Sequence, residues 1–313
     1  MRCLVARARA RCFRHFSYSK LENQTTIPSF YPQPQPTQPK SDSVGKTLKT
    51  ALQSAPNYFF IGNMSKVISL SNHKGGVGKT TSTVNISVGL SRMLHKRVLV
   101  IDMDPQANLT QSLGVEGNPQ HNIYGALTGS YALHPIIIEE NLHIIPATLD
   151  LSGAEVELSA ETGREFILRE LIDPLRSQYD YILIDTPPSL GLLTVNALTA
   201  SDHIYIPLQA QYLALQGLTK LLEVVERIRK RLNRHLSLGG VFITQYDQRK
   251  VLNREIAQTI REHFKDKVFQ TVIRDNIALA EAPSTGKDIF AYNSRSYGAE
   301  DYLELCKEII AKK

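Results

Sequence analysis

Five short runs constrain what this 313-residue chain can fold into: VISLS (67–71), VLVID (98–102), YILID (181–185), HIYIP (203–207) and VFITQ (241–245). Each is apolar at nearly every position rather than at alternate ones. A strand with one wet face alternates, whereas a strand covered on both faces does not, so these runs read as parallel strands inside a sheet. Helical patterns lie between them. The clearest has Leu218, Leu221, Leu222, Val225, Ile228 and Leu232 recurring among charged neighbours. Strands alternating with helices predict a doubly wound α/β domain, with a mostly parallel sheet and helices on both faces. The apolar content of 42% is enough for such a core. No apolar run approaches the roughly 20 residues that a membrane-spanning helix needs.

The first 63 residues do not share this pattern. MRCLVARARARCFRHFSYSK carries five arginines and no acid, and YPQPQPTQPKSDS (31–43) is too rich in Pro and Gln to build a core. The sequence turns abruptly into MSKVISLSN at Met64. We therefore expect two parts: a basic, Pro-rich disordered extension over 1–63, and a folded domain over 64–313. A misassigned translation start is the favoured account of the extension, and an organellar targeting segment the alternative.

The extension also explains the net charge of +6 and the pI near 9.1. Residues 1–63 hold nine Lys/Arg and two Asp/Glu, which leaves 27 basic and 28 acidic side chains for the other 250 residues. The domain is thus near neutral, and a nucleic-acid reading must rest on local patches. Three widely spaced cysteines (Cys3, Cys12, Cys306) argue against a disulfide framework or a metal cluster.

Between the first strand and the first helix stands NHKGGVGKTT (72–81). It departs from the usual phosphate-loop spacing, because His73 stands where the first glycine belongs. Gly75, Gly76 and Gly78 still let the backbone bend and aim N–H groups at phosphate oxygens. The following helix adds its N-terminal dipole. Lys79 would hold the β- and γ-phosphates, and the Thr80 hydroxyl would bind Mg²⁺. Two more strands end in acids, where open α/β sheets place their ligands: Asp102 and Asp104 after VLVI, and Asp185 after YILI. Asp185 reads as the carboxylate that holds Mg²⁺ through water. Asp104, farther from its strand, is the better candidate to orient an attacking water.

Together KGGVGKTT, DMDPQAN, DTPPSLGLLTVNAL, PLQAQYLALQGL and EAPSTGKDIFAYNSRSYGAEDYLELCKEI resemble the ParA/Soj partition ATPases, from about Met64 to the C-terminus. The resemblance implies a P-loop NTPase fold with a deviant Walker A loop, in which Lys74, Gly75, Gly76, Val77, Gly78, Lys79, Thr80 and Thr81 bind ATP. It makes Lys74 the signature lysine that reaches the partner's phosphates in an ATP-sandwich homodimer. Asp104 becomes the hydrolytic acid, and Thr80, Asp102 and Asp185 the metal set. It further implies weak, partner-stimulated hydrolysis, non-specific DNA binding in the ATP state, a ParB-like partner, and a cytoplasmic, nucleoid-associated location without membrane attachment. A lysine arriving from another subunit could do for a charge-spread phosphoryl transition state what an arginine finger does elsewhere.

For the DNA surface the candidates are Arg249 and Lys250 after the fifth run, and the basic run ERIRKRLNRH with Arg227 and Arg231. Arg274, Lys287 and Arg295 rank third. Many relatives read approximately PRNVRLSEAPS where this chain has RDNIALAEAPS, so Asp275 and Ala278 occupy positions that often hold arginine. Two rivals share the loop. A MinD-like ATPase would need a basic amphipathic tail beyond AEDYLELCKEIIAKK, and an ATP-dependent metabolic ligase would take a small substrate.

Overall fold

The computed structural model describes residues 65–211 and 214–312. The extension expected over 1–63 lies outside the described residues, as does Met64. Eight strands form one sheet: β1 (Lys66–Leu70), β2 (Val98–Asp102), β3 (Ile136–Glu139), β4 (Leu142–Ile145), β5 (Tyr181–Asp185), β6 (His203–Gln209), β7 (Ser237–Tyr246) and β8 (Val268–Arg274). Their order across the sheet is β3-β4-β2-β5-β1-β6-β7-β8. Neighbours are parallel except β3 and β4, which form an antiparallel hairpin at one edge. The five runs read from the sequence are β1, β2, β5, β6 and β7, five of the six inner strands; β4 is the sixth.

The helices of nine or more residues are α1 (Lys79–Val88), α2 (Leu192–Ala200), α3 (Ala214–Arg231), α4 (Val251–Phe264) and α5 (Tyr297–Ala311). Alternate strand residues bury against opposite helical layers, as a period-two backbone dictates. Ile68, Leu70, Val98 and Val100 pack with Val84 and Val88 of α1 and with Tyr302, Leu305 and Ile309 of α5. Val67, Leu99, Ile101, Ile182 and Ile184 pack on the other face with Leu193 and Ala197 of α2. On that same face Ile204, Ile206, Val241 and Ile243 meet Leu221, Val225 and Ile228 of α3 and Ile256 and Ile260 of α4. All residues of β2 and β5 are buried. This two-sided burial is why the runs show no alternation, and it confirms the doubly wound sheet.

The layers are tied together by a few polar side chains. Buried Asn233, in the turn after α3, donates through Nδ2 to the carbonyls of Leu198 (3.2 Å), Thr199 (3.0 Å) and Ser201 (2.6 Å) at the end of α2. The carbonyls at the end of α2 thus share the two protons of one amide, and a carbonyl left unpaired in the interior is costly. Asn233→Ala should lower the unfolding free energy by about 2 kcal/mol in urea titration, with no change in the slope against denaturant.

Candidate functional site

The loop after β1 curls between the C-terminal ends of β5, β6 and β7. Asn72 braces its start: Nδ2 donates to the Pro207 carbonyl (2.7 Å) and Oδ1 accepts from the Lys74 N–H (3.0 Å). Gly76 and Gly78 have φ of 72° and 84°, the left-handed region that side-chain-bearing residues disfavour. The loop's carbonyls are drawn outward to the strands. The Thr244 hydroxyl donates to the Val77 carbonyl (2.9 Å), and Gln209 and Gln245 both donate to the Gly76 carbonyl (3.1 and 3.0 Å). A loop whose carbonyls are held from behind leaves its N–H groups for an anion at the start of α1.

Lys79 opens α1 and is buried, with Nζ donating to the Lys74 carbonyl (3.3 Å). Burial lowers its proton affinity, and Asp185 and Asp104 nearby offset that. A phosphate group would supply the counter-charge that this desolvated ammonium lacks. Thr80 Oγ1 donates to Asp185 Oδ2 (2.6 Å) and Thr83 Oγ1 to Asp185 Oδ1 (3.2 Å). Asp185 is completely buried, and desolvation raises its proton affinity. The Asp102 carboxylate adds to that rise, while Thr80 and Lys79 oppose it. A carboxylate and a threonine hydroxyl in contact, with a second acid in register (Asp102↔Asp185), suit a hard divalent cation with oxygen ligands. Bound there, the cation would reverse the penalty on Asp185.

The two acids after β2 divide their tasks. Asp102 is fully buried, and its proton affinity rises to about 6 through desolvation, opposed by hydrogen bonds from Thr110 and Asp104. Its Oδ1 accepts from the Asp104 N–H (3.1 Å), and its Oδ2 accepts from the N–H and hydroxyl of Thr110 (2.9 and 2.7 Å). Both oxygens are therefore spent on shaping the loop. Asp102 adjoins the candidate cation position through its register with Asp185, while its carboxylate faces the Asp104–Thr110 turn. Asp104 lies one step outward, 8% exposed, with Oδ1 held by the Gln106 N–H (3.0 Å).

Lys74 does not enter the cradle beside Lys79. Its Nζ donates to Gln211 Oε1 (2.8 Å) and Gln209 Oε1 (3.2 Å) at the end of β6. A cavity of about 160 Å³ opens beside the loop, lined by Gly78, Thr81, Thr244, Gln245, Asn276 and Tyr302 among others, at the ends of β7 and β8. It offers the base of a nucleotide a place next to the phosphate cradle.

Known proteins resemble this chain in sequence and fold. A family model described as an AAA domain matches residues 65–238. The sporulation initiation inhibitor protein Soj of Bacillus subtilis is 47% identical over 252 residues, spanning 79% of this chain and 99% of Soj. The chain belongs to the ParA/Soj family of partition ATPases. The chromosome-partitioning ATPase Soj of Treponema pallidum is 43% identical, spanning 80% of this chain and 98% of its own. Among solved structures, cobyrinic acid a,c-diamide synthase of Mycobacterium smegmatis with bound ATP analog and magnesium superposes with a TM-score of 0.69. It is 30% identical, covering 79% of this chain and 94% of that one. This ParA/Soj protein is accordingly an ATPase that uses ATP and Mg²⁺. Its loop glycines, Lys79, Thr80 and Asp185 are residues that could hold them.

The basic candidates fall in different places. Arg249 and Lys250 follow β7 at the nucleotide end of the sheet, with side chains 87% and 60% exposed, and both face Asp247 (3.0 and 3.7 Å). Arg249 holds the Asp247 carboxyl down at about 2. Arg227 and Arg231 are exposed near the end of α3, which runs back from the nucleotide end to the opposite end of the sheet. Arg274 is paired within the domain. Its guanidinium binds Asp301 and Glu300 (each 2.5 Å) and lies over the Tyr297 ring (4.1 Å to the centroid), with the side chain 37% exposed. Ala278 is buried in the core.

Thr110, absent from the sequence-derived site, joins Asp102 to the Ala147 N–H (3.0 Å) through its hydroxyl. Thr110→Val should reduce turnover about ten-fold by loosening the Asp104 turn, at nearly unchanged nucleotide affinity. Steady-state hydrolysis set beside nucleotide titration checks both.

Proposed function

We propose that this partition ATPase is a two-subunit switch. Residues 64–313 form the ATPase domain, which binds ATP with Mg²⁺ as a monomer, pairs with a second copy across the bound nucleotides, and retains non-specific DNA while paired. Hydrolysis, stimulated by a ParB-like partner, returns it to monomers. Repeated cycles would segregate a chromosome or plasmid in a nucleoid-associated, cytoplasmic setting. One observation carries the reading: the Lys74 ammonium stands at the rim of the loop, bonded to Gln209 and Gln211, while Lys79 occupies the cradle. A rim lysine is placed to serve phosphates other than those its own loop surrounds.

Each side chain then has a task. The loop N–H groups and Lys79 bind and orient the phosphates, which holds the transferring group in line. Thr80 and Asp185 hold the cation, whose chemistry is to neutralise charge developing on the phosphate oxygens. Asp104, outermost of the acids, orients the attacking water. Lys74, supplied by the partner subunit, stabilises the charge-spread transition state in a site closed to water.

DNA retention is assigned to Arg249 and Lys250. They lie at the nucleotide end of β7, the strand whose Thr244 and Gln245 grip the loop. The run containing Arg227 and Arg231 is next in line. Membrane attachment fits poorly, because the apolar face of α5 is spent in the core. Tyr302, Leu305, Cys306 and Ile309 are each no more than 1% exposed. Among the described residues no helix is long and apolar enough to cross a membrane.

The test of the switch is Lys74→Ala. It should abolish ATP-dependent dimers in light scattering while monomers still bind nucleotide; dimers that persist would overturn the cross-subunit role. For DNA, Arg249→Glu should weaken ATP-dependent retention and flatten its dependence on salt by about one unit of slope or more. ATP affinity should stay the same. Undiminished retention would move the surface to the 227–234 run.

A further inference from the structure

Lys74 is held by two neutral amides rather than by a carboxylate or a phosphate, and the orientation of those amides is fixed by what lies behind them. Gln209 is 7% exposed. Its Nε2 donates to the Gly76 carbonyl (3.1 Å) and to Gln245 Oε1, so its own Oε1 is left to face Lys74 Nζ at 3.2 Å. Gln245 closes the circuit by donating Nε2 to the same Gly76 carbonyl (3.0 Å). Gln211 is exposed and lies just past β6, with Oε1 2.8 Å from Lys74 Nζ. One half of the cradle is therefore rigid and joined to the phosphate loop, and the other half is solvent-facing and free to let go.

We propose that Gln209 and Gln211 form an amide cradle that holds the Lys74 side chain in the monomer and so sets the ATP concentration at which two subunits combine. The inference rests on reading Lys74 as the cross-subunit lysine. An ammonium in this cradle cannot also reach a neighbouring subunit's phosphates, so every dimer must first break these two hydrogen bonds. Neutral acceptors suit the task. A carboxylate at either position would grip the ammonium more strongly and would repel the phosphates that must replace it. An apolar side chain would leave the ammonium loose and solvated, at a cost in ordering when it docks. The glutamine pair gives a hold strong enough to position the lysine and weak enough for a phosphate to release it.

Two substitutions at exposed Gln211 change this hold in opposite directions without touching the core. Gln211→Glu presents a carboxylate oxygen in place of the amide oxygen. Gln211→Leu removes the acceptor at similar size. The first readout is the monomer alone, without nucleotide: acylation of the Lys74 amine, followed site by site by mass spectrometry. Labelling should slow in Q211E and quicken in Q211L, by about two- to five-fold each, the range expected of an exposed charged contact. The second readout is the ATP concentration for half-maximal dimerisation by light scattering. It should rise in Q211E and fall in Q211L over a similar range, with nucleotide affinity of the monomer unchanged. A general loosening of the fold would shift both variants the same way.

Equal labelling of Lys74 in the wild type and both variants would overturn the cradle. So would dimerisation midpoints that move in one direction for both. If that happens while Lys74→Ala still abolishes dimers, the cross-subunit role stands and only the cradle falls. If Lys74→Ala leaves dimers intact, the cross-subunit reading fails and takes the cradle with it.

Discussion

Two carboxylates and an ammonium are buried together where β2 and β5 end and α1 begins, and most of the polar architecture exists to make that tolerable. Asp102 and Asp185 are fully buried and Lys79 is 6% exposed. Charges removed from water must find partners or lose their charge. Each carboxylate is met by hydroxyl or backbone N–H donors, Thr80 and Thr83 for Asp185 and Thr110 and the Asp104 N–H for Asp102, while Lys79 donates to the Lys74 carbonyl. The arrangement still leaves a deficit, since desolvation disfavours the charged form of all three groups. A nucleotide triphosphate with its cation supplies both missing signs at once. The site is thus tuned to be completed by ligand.

How much of this was legible in the sequence follows from burial. Strands β1, β2, β5, β6 and β7 announce themselves because both of their faces are covered. The edge strands do not. In the β3–β4 hairpin Ile137 is 71% exposed, and in β8 Gln270 faces solvent. An edge has one wet side, so its apolar pattern is broken and short. The phosphate loop and the three acids were readable because their spacing is local and their chemistry demands those residue types. Their supports were not. Gln209 and Gln245 reach the Gly76 carbonyl from 133 and 169 residues away, and Thr110 is one hydroxyl in a run of polar residues. The pairing of Arg274 was hidden for a related reason: sequence shows a charge, while its partners Glu300 and Asp301 lie 26 and 27 residues on.

The placement of the basic residues also bears on how nucleotide state could be communicated. β7 carries the Thr244 and Gln245 grips on the loop and then turns directly into Asp247, Arg249 and Lys250. A shift in the Gly76–Val77 carbonyls reaches that turn through a few residues of extended backbone. The α3 arginines have no comparable connection, because the helix carries them to the far end of the sheet. Gln245, with φ of 50°, takes an uncommon conformation for a residue with a side chain, at the point where strand becomes loop.

The strand that delivers the phosphate loop sits in the middle of the sheet, paired on both sides to β5 and β6. Such a strand has no free edge from which to fray, so its amides should be among the last in the molecule to exchange with solvent. Stiffness and adjustability are therefore housed separately: the backbone supplies a fixed platform, and three glutamine side chains supply the setting. A lineage could retune when its subunits meet by exchanging those side chains, without disturbing a single strand.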